Sequence, residues 1–146
     1  MDETGNSSKE AISEETRKVA LALFEGMESV EAMDALLAPD AEWWGIGVGN
    51  LDRSIFVPVH KPYVDRPEPT YRRTKLLGLI VDGERAAIEM EWEISWPDVT
   101  YHQFYHHVLI VQDGKIQSMR MYLDPNEGAK LFGSADETRA MSEADA

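Results

Sequence analysis

Residues 86–96 alternate strictly between large apolar side chains and other residues, and this pattern constrains the fold more than any other feature. The apolar positions are Ile88, Met90, Trp92, Ile94 and Trp96, and glutamates stand between them at Glu89, Glu91 and Glu93. Because successive side chains of a strand point to opposite faces, the segment predicts a strand with one buried and one solvated face. Three unpaired carboxylates would be too costly in a dry interior, so the glutamate row belongs to the solvated face.

Turn signals on both sides extend this strand into an antiparallel meander. Asp82-Gly83 and Asp113-Gly114 are typical of tight hairpins, and Pro97-Asp98 also favours a turn. They separate four predicted strands: 70–81, 86–96, 100–112 and 115–124. An uninterrupted meander requires a second layer that covers its apolar face.

The first part of the chain supplies that layer, because its apolar residues follow a helical period. Val19, Leu23 and Met27 recur every four positions. Ser29 can cap a short second helix, which Pro39 ends. Helices followed by an antiparallel meander predict an α+β fold, with the helices covering one face of a curved, mostly antiparallel sheet.

The length of 146 residues suits one domain, which we place at residues 11–132. Residues 1–10 are polar and are predicted as a disordered N-terminus, and residues 133–146 as a flexible acidic tail. Residues 41–48 are predicted as a short strand. Residues 50–68 contain three prolines and are predicted as loop with one helical turn at most.

Charge and composition argue against several classes of function. Asp and Glu number 27 against 14 Lys and Arg, a formal net charge of −13, which opposes nucleic acid and anionic membranes alike. The absence of cysteine excludes disulfides and thiolate catalysis. With no signal peptide or apolar span, we expect a cytoplasmic protein. No phosphate-binding glycine loop or dinucleotide fingerprint is present, so hydride transfer and ATP chemistry are not expected.

Three histidines lie in the predicted strand 100–112. His102 and His106 share a face but stand roughly 13 Å apart in a strand, so they cannot hold one metal ion together, and no metal site is expected. His107 shares the opposite face with Tyr105 and Gln103. A neutral imidazole beside a phenol suits general acid–base chemistry near neutral pH. The alternative is a histidine with an ordinary structural role in the core or at an interface.

His60 and Lys61 lie in the proline-rich segment 50–68, where a loop can carry function. His60 is a candidate second acid–base group. Nothing near Lys61 indicates a lowered amine pKa, so a Schiff-base role is not expected. Several Trp and Met residues, including Trp43 and Met119, suit either an ordinary core or an adaptable apolar pocket.

Two stretches resemble the nuclear-transport-factor-2-like superfamily, in its SnoaL-like polyketide cyclase and ketosteroid isomerase branch. They are APDAEWWG after the two helices and HHVLIVQDGKIQSMRMYLD at the end of the meander. The resemblance implies a cone-shaped α+β barrel around one apolar pocket, often assembled into dimers or larger oligomers and often without a cofactor. It further implies a pocket lined by these residues: Leu21, Phe24, Trp43, Gly45, Ile88, Met90, Trp92, Gln103, Tyr105, His107, Met119, Met121 and Leu123.

The chain departs from the characterised activities of that branch. Gly45 and Leu21 stand where ketosteroid isomerases have their proton-shuttling carboxylate and oxyanion tyrosine, and His107 stands where they have a hydrogen-bonding acid. The catalytic Asp-Arg-Asp set of limonene-epoxide hydrolases falls on Trp92, Met90 and Met121. SnoaL-like cyclases share a histidine at His107 but have an acidic partner near Met121. Neither ketosteroid isomerase nor limonene-epoxide hydrolase activity is therefore expected.

The resulting hypothesis is a cofactor-independent enzyme that applies acid–base chemistry to a bulky aromatic or polycyclic substrate. His107 would move the proton, Tyr105 would stabilise an enolate or phenolate oxygen, and His60 would act as a second acid–base group. Isomerisation, dehydration, aldol cyclisation and retro-aldol C–C cleavage all remain open. The alternatives are a subunit of the same fold that only binds a ligand or assembles, and a transport adaptor. The apolar outer face of strand 100–112 predicts a homo-oligomer, a dimer or trimer.

Overall fold

The computed structural model describes the backbone of residues 3–145 and the side chains of residues 8–143. The α-helices of this part of the chain are α1 (Glu3–Glu25), α2 (Val30–Leu36), α3 (Phe56–Val64), α4 (Pro125–Phe132) and α5 (Ala135–Asp145). The strands are β1 (Leu37–Gly45), β2 (Gly49–Leu51), β3 (Tyr71–Asp82), β4 (Arg85–Trp96), β5 (Val99–Gln112) and β6 (Lys115–Tyr122). A short 3-10 helix, Arg53–Ile55, precedes α3. No helix among the described residues is long and apolar enough to span a membrane.

The six strands form one curved sheet in the order β2-β1-β6-β5-β4-β3. All neighbours pair antiparallel except β1 and β6, which are parallel. The α+β prediction is confirmed, with the N-terminal helices packed on a mostly antiparallel sheet. The sheet is an open cone rather than a closed barrel, because β2 and β3 are edge strands that do not pair with each other.

The alternation in β4 has the predicted structural consequence. Its apolar side chains are buried, with Ile88 and Met90 both 0% exposed, while its glutamates lie on the other face. The Asp113-Gly114 hairpin is also confirmed, with positive φ angles of 53° and 72° at the two turn residues. Both angles lie in the left-handed region that a two-residue type I′ hairpin turn requires.

Helix α3 and the short 3-10 helix before it replace most of the loop predicted for residues 50–68. Pro58 is compatible with α3 because the first turn of a helix has no intrahelical acceptor for its N–H groups. Pro62 lies inside the helix, whose buried face nevertheless carries Phe56, His60 and Val64. This face packs against α2 and against Trp43 of β1, and these tertiary contacts outweigh the proline penalty. The local sequence shows only the prolines and therefore predicted loop.

Helices also extend to both ends of the described chain. Residues 3–10 of the predicted disordered N-terminus belong to α1, and residues 1 and 2 lie outside the described part. The predicted tail, 133–146, is largely the helix α5. Its contacts are specific: Arg139 Nη1 donates to Gly47 O at 2.8 Å, and Ser142 Oγ accepts from Asp52 N at 2.8 Å. The segment consists largely of alanine, serine and acidic residues, and such residues give no clear apolar period. The sequence therefore does not predict this helix.

Candidate active site

A small internal cavity lies between the concave face of the sheet and helices α1, α2, α3 and α4. Its volume of about 30 Å³ has room for about two water molecules. Its walls are almost wholly apolar or aromatic: Leu23, Met27, Met33, Phe56, His60, Val64, Trp92, Tyr105, His107, Met119, Met121 and Phe132. We call it the inner cavity. The few polar atoms on its wall therefore determine what it can bind.

His107 is the most unusual of these polar groups. It is 5% exposed, and neither of its ring nitrogens has a hydrogen-bond partner in the structure. Burial, together with the nearby His60 and His106, lowers the pKa of His107 to about 3. The ring is therefore neutral at physiological pH, with one N–H donor and one acceptor nitrogen. Since unpaired buried polar groups are rare in native proteins, this ring requires a water or ligand partner.

His60 approaches the same cavity from α3. Its Nδ1 lies 2.7 Å from Phe56 O one turn earlier, and because a carbonyl can only accept, Nδ1 carries the proton. Nε2 is then the acceptor nitrogen, and it has no hydrogen-bond partner among the described side chains. Burial lowers the pKa of His60 to about 4, opposed by the Phe56 hydrogen bond. His60 is thus a second neutral imidazole whose tautomer the helix backbone determines.

Tyr105 belongs to a hydrogen-bonded group that begins behind the cavity wall. Its hydroxyl oxygen lies 2.8 Å from that of Tyr101, which lies 3.2 Å from Gln103 Nε2. Tyr105 and His107 are neighbours on the concave face of β5, with ring centroids 5.6 Å apart. Burial raises the pKa of Tyr105 well above its ordinary value, and the neighbouring Tyr101 adds to the effect. The phenol is therefore protonated and can act as a donor.

A second, outer cavity of about 80 Å³ adjoins the inner one and is more open. Helices α4 and α5 form one of its sides, and the β1–β2 hairpin forms another. His60, Met121 and Phe132 border both cavities, so these three side chains form a partition between them. Phe132 is held there by the ring of Tyr63, in an edge-to-face contact with centroids 4.6 Å apart. A ligand that spans both cavities must displace part of this partition.

The structure brings most of the predicted site residues together, in two cavities rather than one. Those on the inner cavity are His60, Trp92, Tyr105, His107, Met119 and Met121. Those on the outer cavity are Trp43, Gly45, His60, Met121 and Leu123. The remaining predicted residues border neither cavity: Leu21, Phe24, Ile88, Met90 and Gln103. Gln103 instead supports Tyr101, and Ile88 and Met90 belong to the core.

Several cavity residues were not among the predicted site residues. Leu23 in α1 and Met27 in the turn after it continue the four-residue stripe that the periodicity identified as the buried face, whereas Phe24 is displaced from that stripe. Phe56 comes from the segment predicted as loop. Phe132, at the end of α4, has no comparable local signal, because its position depends on how α4 docks across the cone.

The other candidate side chains lie away from the cavities. Lys61 Nζ is 3.1 Å from Asp65 Oδ2, and this interaction raises the pKa of Lys61, the opposite of what a Schiff-base lysine needs. On the outer sheet face, Glu91, Glu93 and His102 have possible metal-ligand atoms within 4.8 Å of one another. His102 Nε2 contacts Glu91 Oε2 at 2.6 Å, so these groups already pair with each other.

Comparison with known proteins identifies the architecture. No protein-family model matches the chain, and no curated protein matches it in sequence. Among solved structures, an LEH-like epoxide hydrolase from M. tuberculosis is similar, at 16% identity and a TM-score of 0.62, over 92% of this chain and 98% of that one.

Two further structures are similar over nearly their whole length. TerC, co-crystallised with polyporic acid, is 19% identical with a TM-score of 0.57, over 82% of this chain and 99% of that one. An NTF2-like protein of unknown function from Burkholderia pseudomallei is 17% identical with a TM-score of 0.58, over 82% of this chain and 98% of that one. At these identities the likeness establishes the fold alone. The open cone, its helical layer and these neighbours together show that the chain has the nuclear-transport-factor-2-like fold.

Proposed function

We propose that this chain is a cofactor-independent enzyme that uses acid–base chemistry on a small molecule with an apolar body. The observation that carries the proposal is His107, a buried imidazole on the inner cavity whose two ring nitrogens both lack a hydrogen-bond partner among the described residues. A polar group left unpaired in this way costs about 1–3 kcal/mol of stability. Such a cost is characteristic of a site built for a ligand rather than for the core.

The surroundings of His107 determine when it can act as a base. A pKa of about 3 makes the free imidazole a weak base, because burial disfavours its cation. If a bound carbonyl compound loses an α-proton to His107, the electron pair moves to the carbonyl oxygen as an enolate. The enolate then neutralises the imidazolium at short range in a water-poor cavity. Proton transfer to His107 therefore depends on a ligand whose carbonyl oxygen can become an enolate. Tyr105 would stabilise that enolate oxygen.

The cavities also limit the shape of the substrate. The inner cavity admits little more than the reacting oxygen and its neighbouring atoms, so the apolar body belongs in the outer cavity. His60, on the partition, borders both parts and is the candidate second acid–base group. A bulky aromatic or polycyclic body requires displacement of Phe132. Enolate chemistry of this kind serves isomerisation, dehydration, aldol cyclisation and retro-aldol cleavage by lyase-type enzymes.

A non-catalytic ligand-binding or assembly subunit is the second candidate. One observation favours it: Met121 borders both cavities where SnoaL-like cyclases have their acidic partner, so His107 has no carboxylate to raise its pKa. Such a protein would bind the same ligands through the same atoms without moving a proton.

Deuterium exchange distinguishes the two candidates. Acetophenone is incubated with the protein in D2O, binding is measured by NMR titration, and loss of the methyl signal reports α-proton transfer. The enzyme proposal predicts exchange above the buffer rate, reduced about 100-fold or more by His107→Leu. Tyr122→Phe, on the outer face of the neighbouring strand β6, is the control and should leave the rate unchanged. Binding without exchange would favour the second candidate, and no binding would refute both readings of the pocket.

A further inference from the structure

Gln103, Tyr101 and Tyr105 form a hydrogen-bonded row on the concave face of β5 that ends at the inner cavity. The direction of the row follows from Gln103. Its Oε1 accepts from Asp124 N at 3.0 Å, and its Nε2 donates to Asp124 O at 2.9 Å. If the amide oxygen and nitrogen of Gln103 were exchanged, the NH2 group would face the N–H of Asp124 and the oxygen would face the carbonyl of Asp124, so both hydrogen bonds would be lost. The backbone of Asp124 therefore determines that an N–H, not an oxygen, faces Tyr101.

The position of the last hydrogen in the row follows from burial. Tyr101 accepts from Gln103, and the two phenols share one hydrogen bond, so one phenolic hydrogen remains without an acceptor in the row. Tyr101 is 0% exposed and borders neither cavity, whereas Tyr105 borders the inner cavity. If Tyr101 donates to Tyr105, the remaining hydrogen belongs to Tyr105, the only phenol of the pair that a ligand can reach. The opposite direction would leave a buried hydroxyl hydrogen of Tyr101 unpaired at a cost.

We infer that Tyr105 donates to an oxygen of the ligand, and that Gln103 and Tyr101 are positioning residues that direct this donor into the cavity. The inference deepens the proposed function, because it concerns the same cavity and names the class of ligand. Trp92 adds a second donor, since its Nε1 is buried without a partner and its ring borders the same cavity. Neutral His107 contributes one donor and one acceptor. With the acceptor Nε2 of His60 included, the polar wall offers three donors and two acceptors, which suits a ketone or enone with its oxygen on the donors and an α-proton facing an acceptor nitrogen.

A pair of probes with nearly the same shape tests this class. Acetophenone carries a carbonyl oxygen where α-methylstyrene carries a methylene group, so only acetophenone can accept a hydrogen bond. Dissociation constants for both come from NMR titration of wild type and variants. Tyr105→Phe should weaken acetophenone binding about tenfold and leave α-methylstyrene unchanged, as expected for one lost hydrogen bond. The bound carbonyl stretch should also move to higher frequency, because the C=O bond is no longer polarised.

The positioning residues are tested through the same carbonyl band. Tyr101→Phe removes the donor to Tyr105 and should weaken acetophenone about threefold with a smaller shift of the band. Gln103→Glu replaces the donor by an acceptor, reverses the row, and should resemble Tyr105→Phe in the carbonyl band. Tyr122→Phe, on the opposite face of the sheet, is the matched control and should change neither quantity. Thermal unfolding checks that each variant folds. If Gln103→Glu does not fold, Tyr101→Phe alone tests the role of the positioning residues.

Each outcome bears on a separate claim. If Tyr105→Phe weakens both probes equally, or leaves the carbonyl band in place, the donor assignment is overturned. If only Tyr105→Phe has an effect, the roles of Tyr101 and Gln103 are overturned. If the probes behave as expected but no α-proton exchanges, the inference stands and the enzyme proposal fails. If wild type binds neither probe, the inner cavity is not the binding site and the inference fails with it.

Discussion

Replacing His107 by leucine should make the protein more stable and less sensitive to acid. Leucine is apolar and of similar size, so it removes a buried polar group whose nitrogens have no partner. The gain near pH 7.5 is about 1 kcal/mol, the lower end of the penalty for an unsatisfied buried group. Most core substitutions destabilise by a similar amount, so the sign of this change is diagnostic.

The pH dependence provides a second, larger signal. The pKa of His107 is about 3 in the folded protein, against 6.5 ordinarily, and that of His60 is about 4. Between pH 6.5 and 4 the unfolded chain therefore binds protons that the folded chain does not. Stability is fully present above pH 6.5 and falls as the pH decreases, by about 1.4 kcal/mol per pH unit for each histidine. At pH 5 the two histidines together lower the free energy of unfolding by about 4 kcal/mol relative to its value above pH 6.5. His107→Leu should remove about half of that loss.

Urea unfolding at pH 5, 6 and 7.5, followed by tryptophan fluorescence, measures both effects. The window lies above the ordinary pKa values of Asp and Glu, so histidines dominate the change. The control is Tyr122→Phe, on the outer face of β6, which leaves all four histidines in place and should keep the wild-type slope. If His107→Leu is destabilised at pH 7.5, or keeps the wild-type slope, His107 is not an unpaired neutral group and the reasoning is refuted.

Three further substitutions test other parts of the structure. Arg53 Nη1 lies 2.6 Å from Asp34 Oδ1, and Arg53 Nε donates to Ala38 O. Arg53→Ala should therefore lower the free energy of urea unfolding by about 2 kcal/mol. An unchanged free energy would show that these contacts are dispensable. Phe132→Ala should join the two cavities and tighten benzophenone binding several-fold in NMR titration, whereas weaker binding would exclude Phe132 as a barrier. Phe104 is 56% exposed on the outer face of β5, where an oligomer interface is predicted. Phe104→Glu should convert the oligomer to monomers in analytical ultracentrifugation, and a wild-type monomer would contradict the predicted interface.

Local sequence patterns were sufficient for the four-stranded meander and for one part of the site. The alternation of β4 and the two glycine turns specify which face of the meander is buried, because the period of a strand is two wherever it occurs. The same rule places Tyr105 and His107 side by side on β5, two residues apart. The resemblance of the last hairpin to a known superfamily then supplied the cone-shaped architecture. These features depend on residues close together in the chain.

The tertiary structure decided the features that depend on distant contacts. Helix α3 forms despite two prolines because its face packs against α2 and against Trp43 of β1, and Phe132 reaches the cavity only through the docking of α4 across the cone. Sequence spacing places Gln103 beside Tyr105, but only the bonds of Gln103 to Asp124 orient its amide toward Tyr101. The sequence by itself determined which side chains share a face. Whether they are paired, buried or open to a cavity was decided by elements far along the chain, because burial and hydrogen bonding depend on three-dimensional packing.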